Sequence, residues 1–377
     1  MINNCRLCQK KLPQNPQLII KSGDIPAQGF LKKNNQKTLN NLSIYQCSFC
    51  GVTQHNSNPV SYYKDVIRAT AFSKQMEIFR IKQIKSWIKK YDLYQKNIIE
   101  VGSGRSEFME IFNKLNHSSI YGIENSTQNF LYSKEKGYRV YKGYLGDSKF
   151  KKINKKFGAF TCFSFMEHWP NLNQCFINLH SILTSQAIGL IEVPNLDLIM
   201  EKQIYTEFTI DHIFYFSPKT LKLVLEMNGF DVISVNKIWH DYILSAVVQK
   251  REIKNLNYFK EKKQKINKSI NELIKKFGID KTTIWGAGHQ SISIISQSGV
   301  YKKLSFIVDS AVFKQNLYIY GLNTIVLPPE VIKTKGIDTV IIIAAGFSDE
   351  IAKILKKKFK DVKNIFILRE NFFEKIK

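Results

Sequence analysis

The sequence predicts an α/β protein. Its central domain reads as a doubly wound sheet, with a small cysteine-bearing module before it and a second domain of the same kind after it. Three stretches carry this expectation. Residues 98–110, Ile-Ile-Glu-Val-Gly-Ser-Gly-Arg-Ser-Glu-Phe-Met-Glu, read as a buried strand, a glycine turn at Gly102, Ser103 and Gly104, and the start of a helix with apolar positions Phe108, Ile111 and Phe112. Cys5-Arg6-Leu7-Cys8 and Cys47-Ser48-Phe49-Cys50 form two Cys-x-x-Cys pairs. Residues 283–309 then repeat the order of strand (283–285), glycine turn (Gly286-Ala287-Gly288), helix (291–296) and strand (304–308), ending in Asp309.

Strand, glycine turn and helix are the parts with which a doubly wound sheet binds a nucleotide, because glycines let the backbone approach the ligand and the helix N-terminus faces it. A second strand over 120–123 ends in Glu124, placed to take the hydroxyls of a ribose, with Asn125 next to it. Dinucleotide folds favour an apolar residue before the glycines. Glu100 before Gly102-x-Gly104 instead resembles motif one of class I S-adenosylmethionine (SAM) methyltransferases, in which this acid helps to hold the methionine end. Ser106 stands where the third glycine of that motif is usual.

Length and composition bound the alternatives. At 377 residues, two to three domains are expected, and 44% hydrophobic residues suffice for ordinary cores. No run approaches the ~20 apolar residues of a membrane span, and the N-terminus has no signal-peptide core, so a cytoplasmic location is expected. The net charge of +25 suits a polyanionic partner. The lysines are nonetheless scattered or in short tracts such as Lys262-Lys263 and Lys356-Lys357-Lys358, which favours a solvated lysine surface. A phosphate-bearing substrate fits the charge without nucleic acid.

In chain order, residues 1–60 read as a zinc-binding module. Two cysteine knuckles give the closed four-sulfur geometry of structural zinc, with Cys5, Cys8, Cys47 and Cys50 as ligands. Zinc binding is worth roughly 10–16 kcal/mol in such small modules. Short strands are expected at 18–20 and 43–45, and a loop at 25–30. Residues 61–93 form a connecting helix on the row Ile78, Ile81, Ile84 and Ile88, with Phe72, Met76 and Phe79 as a second row. The preceding Tyr62-Tyr63 reads as core packing or as substrate lining.

Residues 94–250 form the SAM domain. After Glu124 come a helix (128–136), a strand (138–141) and a fourth strand (159–165) ending in Met166-Glu167-His168-Trp169-Pro170. That tail resembles the post-strand motif of small-molecule methyltransferases, which puts Ser164 and Phe165 beside the cofactor. A helix (172–183) leads to a fifth strand (188–195) that ends in Asn195 at the ligand edge of the sheet. The acid-, His- and Tyr-rich run 205–217 follows, then a helix (221–227) and two closing strands (232–235 and 242–248) around Trp239-His240-Asp241. Cys162 and Cys175 read as buried small apolar residues. Residues 251–277 form a lysine-rich linker helix, and 278–377 a Rossmann-like domain in which Asp309 stands where a ribose-binding acid would.

The whole order resembles the sugar nucleotide C-methyltransferase family. The similarity lies at the four cysteines, at Tyr62-Tyr63, at Glu100–Gly104, at Asp211-His212-Ile213-Phe214-Tyr215-Phe216-Ser217, at His240, and in the C-terminal domain at Gly286-Ala287-Gly288, Val308-Asp309 and Lys314-Gln315. The family's Tyr-x-Glu-His is here Thr209, Ile210, Asp211 and His212, and the lysine of its Gly-Ala-x-x-Lys-Gly is absent. The resemblance implies methylation of a carbon next to a keto group on a nucleotide-linked deoxysugar. His212 is then the candidate base and His240 its alternative. Asp211 or Glu207 orients the base or substrate hydroxyls, and Tyr215, Tyr62 and Tyr63 donate to an enolate or line the sugar pocket. The alternatives are O- or N-methylation of another small phosphorylated molecule, RNA methylation, and a SAM or NAD sensor without activity. The Asp-Pro-Pro-Tyr-like tetrad of base N-methyltransferases is missing after the fourth strand, where Ser164-Phe165-Met166-Glu167 stands.

Overall fold

The computed structural model describes residues 2–21, 41–60, 62–64, 73–148, 150 and 153–377, so the loop expected at 25–30 and Phe72 lie outside the described residues. The chain divides into two compact units, Met1–Glu252 and Ile253–Lys377. Among the described residues, no helix is long and apolar enough to cross a membrane.

In the first unit, β1 (Leu18–Ile20), β2 (Leu42–Gln46) and β3 (Thr53–His55) precede α1 (Lys74–Lys90). The strands β4 (Ile98–Val101), β5 (Ile120–Glu124), β6 (Val140–Lys142), β7 (Phe157–Phe163) and β8 (Leu183–Pro194) follow, with α2 (Glu107–Lys114) after β4, α3 (Thr127–Glu135) after β5 and α4 (Leu172–Ile182) after β7. Then come α5 (Leu196–Glu201), β9 (Phe214–Tyr215), α6 (Pro218–Met227), β10 (Phe230–Ile238) and β11 (Ile243–Lys250). The seven-stranded sheet has the order β10-β11-β8-β7-β4-β5-β6. Its strands from β8 to β6 are parallel, and β11 and β10 close it as an antiparallel hairpin.

Because strand side chains alternate, β4 serves both faces of this sheet: Ile99 and Val101 enter one core cluster and Ile98 the other. Burial on both faces is why the strands are nearly continuous in apolar residues. The chain winds from β4 outward to β5 and β6 and then crosses back to β7 on the other side of β4, and such a reversal marks the carboxyl ends of the central strands as the ligand edge.

The buried face of α1 differs from the isoleucine row in the sequence. Ile78 is half exposed, and Arg80, Ile84, Trp87 and Ile88 face inward. The guanidinium of Arg80 pairs with the buried Glu192 carboxylate of β8, which also accepts hydrogen bonds from Gln83 Nε2 and Ser245 Oγ. A buried carboxylate needs such partners, and supplying them fixes which side of the helix meets the sheet.

The short strands at the N-terminus belong to the same unit. Their sheet has the order β1-β2-β3-β9, so its edge strand is Phe214–Tyr215, taken from far along the chain. That two-residue strand has no period of its own to announce it.

The second unit contains α7 (Tyr258–Phe277), β12 (Thr282–Trp285), α8 (His289–Ser298), β13 (Phe306–Val308), β14 (Ile325–Leu327), α9 (Val331–Thr334), β15 (Thr339–Ile342), α10 (Ser348–Lys358), β16 (Asn364–Leu368) and β17 (Phe373–Lys375). Its sheet order is β14-β13-β12-β15-β16-β17, parallel except for β17. The helix read as a linker is α7. It buries Ile270 and Ile274 in the core of this unit, with Ile284 and Ile295, while Lys262 and Lys263 stay in solvent.

Candidate active site

The glycine turn after β4 is held by backbone chemistry. Gly102 and Gly104 adopt φ of 74° and 55°, the left-handed region that glycine tolerates. A Cβ on Gly102 would lie 2.4 Å from the Phe165 ring, so the ring rests directly on the turn. Ser103 is fully buried. Ser106, at φ 67°, keeps the conformation for which the motif's third glycine is suited, and its hydroxyl donates to Ser133 Oγ at 2.8 Å. Glu100 is buried on β4, between Gly122 of β5 and Thr161 of β7. The Glu124 carboxylate accepts N–H bonds from Gly104 (2.8 Å) and Ser126 (2.6 Å), so it ties the glycine turn to the end of β5.

Gly102, Asn125, Phe165, Lys64 and Tyr144 line a narrow cleft of about 10 Å³ at this turn. Ligand pockets run from about 300 Å³ upward, so the cleft is too small for a molecule the size of SAM as it stands. Ser164 is exposed at the end of β7 with φ 46°, a strained backbone of the kind found at ligand sites. The Tyr62–Lys64 turn reaches the same place: Tyr63 meets Tyr144 edge-on at 5.6 Å, and Lys64 Nζ is pinned to Asp147 Oδ1 at 2.6 Å. Tyr62 is half-buried in that turn. Nothing in the sequence singled out Lys64 among 56 Lys and Arg residues, nor Tyr144.

Beside Phe165, the short 3-10 turn Met166–His168 brings a histidine cluster together. Glu167, His168 and His212 are buried, and each offers one nitrogen or oxygen within 4.8 Å of the others. The rings of His168 and His212 meet edge-on at 4.9 Å, and Phe165 lies 6.3 Å from His168. His168 Nδ1–H donates to the Asp211 carbonyl at 2.8 Å, which fixes the tautomer and leaves Nε2 with its lone pair. Burial lowers the pKa of both imidazoles and keeps them neutral; for His212 the shift is large, and the neighbouring His168 and His55 add to it. Burial pushes the Glu167 carboxyl up to about 8. Its Oε2 has no hydrogen-bond partner among the described residues. Glu167 took no role in the sequence reading, although an acid and a histidine directly after the fourth strand were the available signal.

The other polar residues of the motif serve the backbone. Tyr215 O–H donates to the Thr209 carbonyl (2.9 Å) and accepts from the Thr209 N–H (3.1 Å), so its hydroxyl is committed to the loop rather than offered to a substrate. Asn195 caps α5 by accepting from Asp197 N–H and donates to the Asp241 carbonyl at 2.8 Å, which ties the β10–β11 turn down. Glu207 accepts from Tyr242 O–H at 2.6 Å. His240 is exposed on that turn, between Trp239 and Asp241, and all three have positive φ. The structure therefore joins His212 and Asp211 to Glu167 and His168, and leaves His240 on the surface.

The cysteines meet as the spacing requires. Cys5 and Cys50 sulfurs lie 3.6 Å apart, as do those of Cys8 and Cys47, and all four fall within 4.8 Å of one another. A disulfide needs about 2.05 Å, whereas tetrahedral Zn–S bonds of about 2.3 Å put sulfurs about 3.8 Å apart. The donor set fits zinc. Between the knuckles and the histidines runs Arg6, whose backbone N–H donates to Gln54 Oε1 and whose guanidinium donates to the Ser57 and Pro170 carbonyls.

Residues 76–235 match the family model of a methyltransferase domain, and residues 246–368 match that of a C-methyltransferase C-terminal domain. The protein is a SAM-dependent methyltransferase. The pair of matches supports a C-methyltransferase. Among solved structures, this methyltransferase is similar to a SAM-dependent methyltransferase from Clostridium acetobutylicum, with TM-score 0.39 and 10% identity over 46% of this chain and 91% of that one. It is also similar to a SAM-dependent methyltransferase from Mesorhizobium loti, with TM-score 0.36 and 10% identity over 45% and 99%. A protein from Pyrococcus horikoshii gives TM-score 0.41 and 15% identity over 52% and 100%. No curated protein matches the chain significantly.

Proposed function

We propose that the enzyme methylates the carbon next to a keto group on a nucleotide-linked sugar used in glycan or polysaccharide synthesis. The observation that carries this reading is the buried Glu167–His168–His212 cluster beside the cofactor cleft. A carbon acid needs a base to take its proton and a donor for the oxygen of the enolate that forms. Neutral His212 supplies the base. Glu167, protonated at neutral pH, supplies the donor in place of Tyr215, whose hydroxyl holds Thr209. His168, fixed by the Asp211 carbonyl, sets the ring of His212 edge-on.

Bound SAM supplies an electrophilic methyl group on a sulfonium centre. In this reading Gly102, Ser103, Gly104 and Asn125 hold it at the turn, Glu100 lies towards its methionine end, Glu124 takes its ribose, and Ser164 and Phe165 close over it. Cys5, Cys8, Cys47 and Cys50 hold a structural zinc that braces the sheet carrying β9.

The His212→Asn variant tests the assignment. Incubation with a nucleoside-diphosphate 4-ketosugar in deuterated water, read by mass spectrometry, is expected to show deuterium uptake and methylation by the native enzyme. The variant loses both by about 10²–10⁴-fold while binding S-adenosylhomocysteine normally. Normal turnover by His212→Asn at saturating SAM contradicts the role. Methylation without exchange at any carbon points to O- or N-methylation.

A further inference from the structure

We propose that Glu167, His168 and His212 form a second metal site, which takes zinc or another divalent transition-metal ion, and that an ion bound there stops methyl transfer. The site stands on geometry alone; its effect on turnover rests on the reading of His212 as the base.

The three side chains converge from two parts of the chain. The Met166–His168 turn follows β7, and His212 comes to it from the segment before β9. One oxygen of Glu167 and one nitrogen of each histidine lie within 4.8 Å of one another. Zinc bonds of about 2.0–2.2 Å hold tetrahedral ligands about 3.4 Å apart, so a shift of at most about 1.4 Å closes the set. All three residues are buried, at 1%, 4% and 7% exposure.

The ligand atoms have little else to hold. Glu167 Oε2 has no hydrogen-bond partner among the described residues, whereas a buried polar atom normally has one. His168 donates through Nδ1–H to the Asp211 carbonyl, which leaves Nε2 as its free ligand atom. Metal-bound histidines are held in this way, with the other ring N–H on a backbone carbonyl or a carboxylate. Burial already keeps both imidazoles neutral, the form that ligates. The Asp211 carboxylate also acts on His168 electrostatically, and together with an ionised Glu167 it offsets a double positive charge.

Two histidines and one glutamate are a donor set for zinc that leaves a coordination position open, unlike the closed set of four cysteines. An ion here takes the lone pair with which His212 removes the substrate proton. Glu167 ligates as the carboxylate, so its proton passes to solvent as the ion binds, and it no longer donates to an enolate. Base and donor are withdrawn together, and the reaction stops while the ion stays.

Cobalt(II) titration of the full-length protein, read by visible and near-ultraviolet absorption, tests the site. Cobalt on nitrogen and oxygen gives weak d–d bands without the intense sulfur-to-cobalt charge transfer of a cysteine site, so the spectrum separates the two. One such ion per chain is expected. Glu167→Gln, which keeps a hydrogen-bond donor but not the charge, and His212→Asn each weaken it at least about tenfold, the least that loss even of an outer partner costs a metal site. S-adenosylhomocysteine affinity near native shows that each variant is folded. In parallel, deuterium exchange into a nucleoside-diphosphate 4-ketosugar is followed as zinc or cobalt is added, each protein against its own metal-free rate. The native rate falls about 10²-fold or more and recovers when the ion is removed by gel filtration, while the Glu167→Gln rate is unmoved at the same ion concentration. No second ion, a cysteine spectrum alone, or affinity unchanged in either variant overturns the site. A native rate that holds or rises with the ion bound overturns the switch. Absence of exchange in the metal-free native enzyme counts against the ketosugar reading, and the spectrum then decides the site by itself.

Discussion

Burial changes the protonation state of Glu167 at neutral pH. Its folded pKa of about 8 stands above the ordinary 4.5, and burial is the cause. Below pH 4.5 both folded and unfolded chains hold the proton. Between about 4.5 and 8 only the folded chain holds it, so the stability contribution is lost as pH rises, at about 1.4 kcal/mol per pH unit. Glu167→Gln removes this dependence. Thermal melts are expected to show the variant gaining on the native protein from pH 5 to pH 8 and exceeding it at pH 8; a constant difference across that range contradicts the assignment. Residues that work through spacing, such as Glu100, Gly102 and Glu124, were legible in the sequence, because a strand, a turn and a second strand fix their places. Tyr215 and Asn195 were legible only as polar residues in a motif. Their partners are the backbone of Thr209 and Asp241, and no local pattern states which partner a side chain will find.

At the scale of elements, the cysteine knuckles and the histidine cluster are one assembly. β3 carries His55, starts three residues after Cys50, and pairs with β9, which starts two residues after His212. His55 is fully buried, with Nε2–H on the Ile210 carbonyl and Nδ1 accepting from Ser57 N–H. With the four cysteines holding zinc as proposed, chelation or Cys47→Ser is expected to lower turnover roughly 10²-fold through misplacement of His212 and to lower the melting temperature. S-adenosylhomocysteine affinity, carried by the β4–β5 turn, stays near native. Turnover that survives complete zinc removal would break the link. The two Cys-x-x-Cys pairs were visible in the sequence, but the pairing of β3 with a strand about 160 residues later was not. The isoleucine row of α1 suggested a face that the Arg80–Glu192 pair overrides, because an ion pair across about 110 residues leaves no periodic trace.

At the scale of the molecule, the same device occurs twice: a glycine turn after the first strand of a parallel sheet, closed by an acid at the end of the second. The repeat was legible because strand, turn and helix follow in the same order at 98–124 and 283–309. The twin carboxylate clamps of Glu124 and Asp309 were not, since they depend on where a backbone N–H points. The methyltransferase match lies in the first unit.

The proposed acceptor of the methyl group is a ring carbon. This acceptor is tested most directly by carbon-13 NMR of the product formed from methyl-labelled SAM and a uniformly carbon-13-labelled nucleotide ketosugar. Transfer to carbon gives a methyl signal split by one-bond coupling to a ring carbon. A methyl signal without that coupling, as on oxygen or nitrogen, would contradict it.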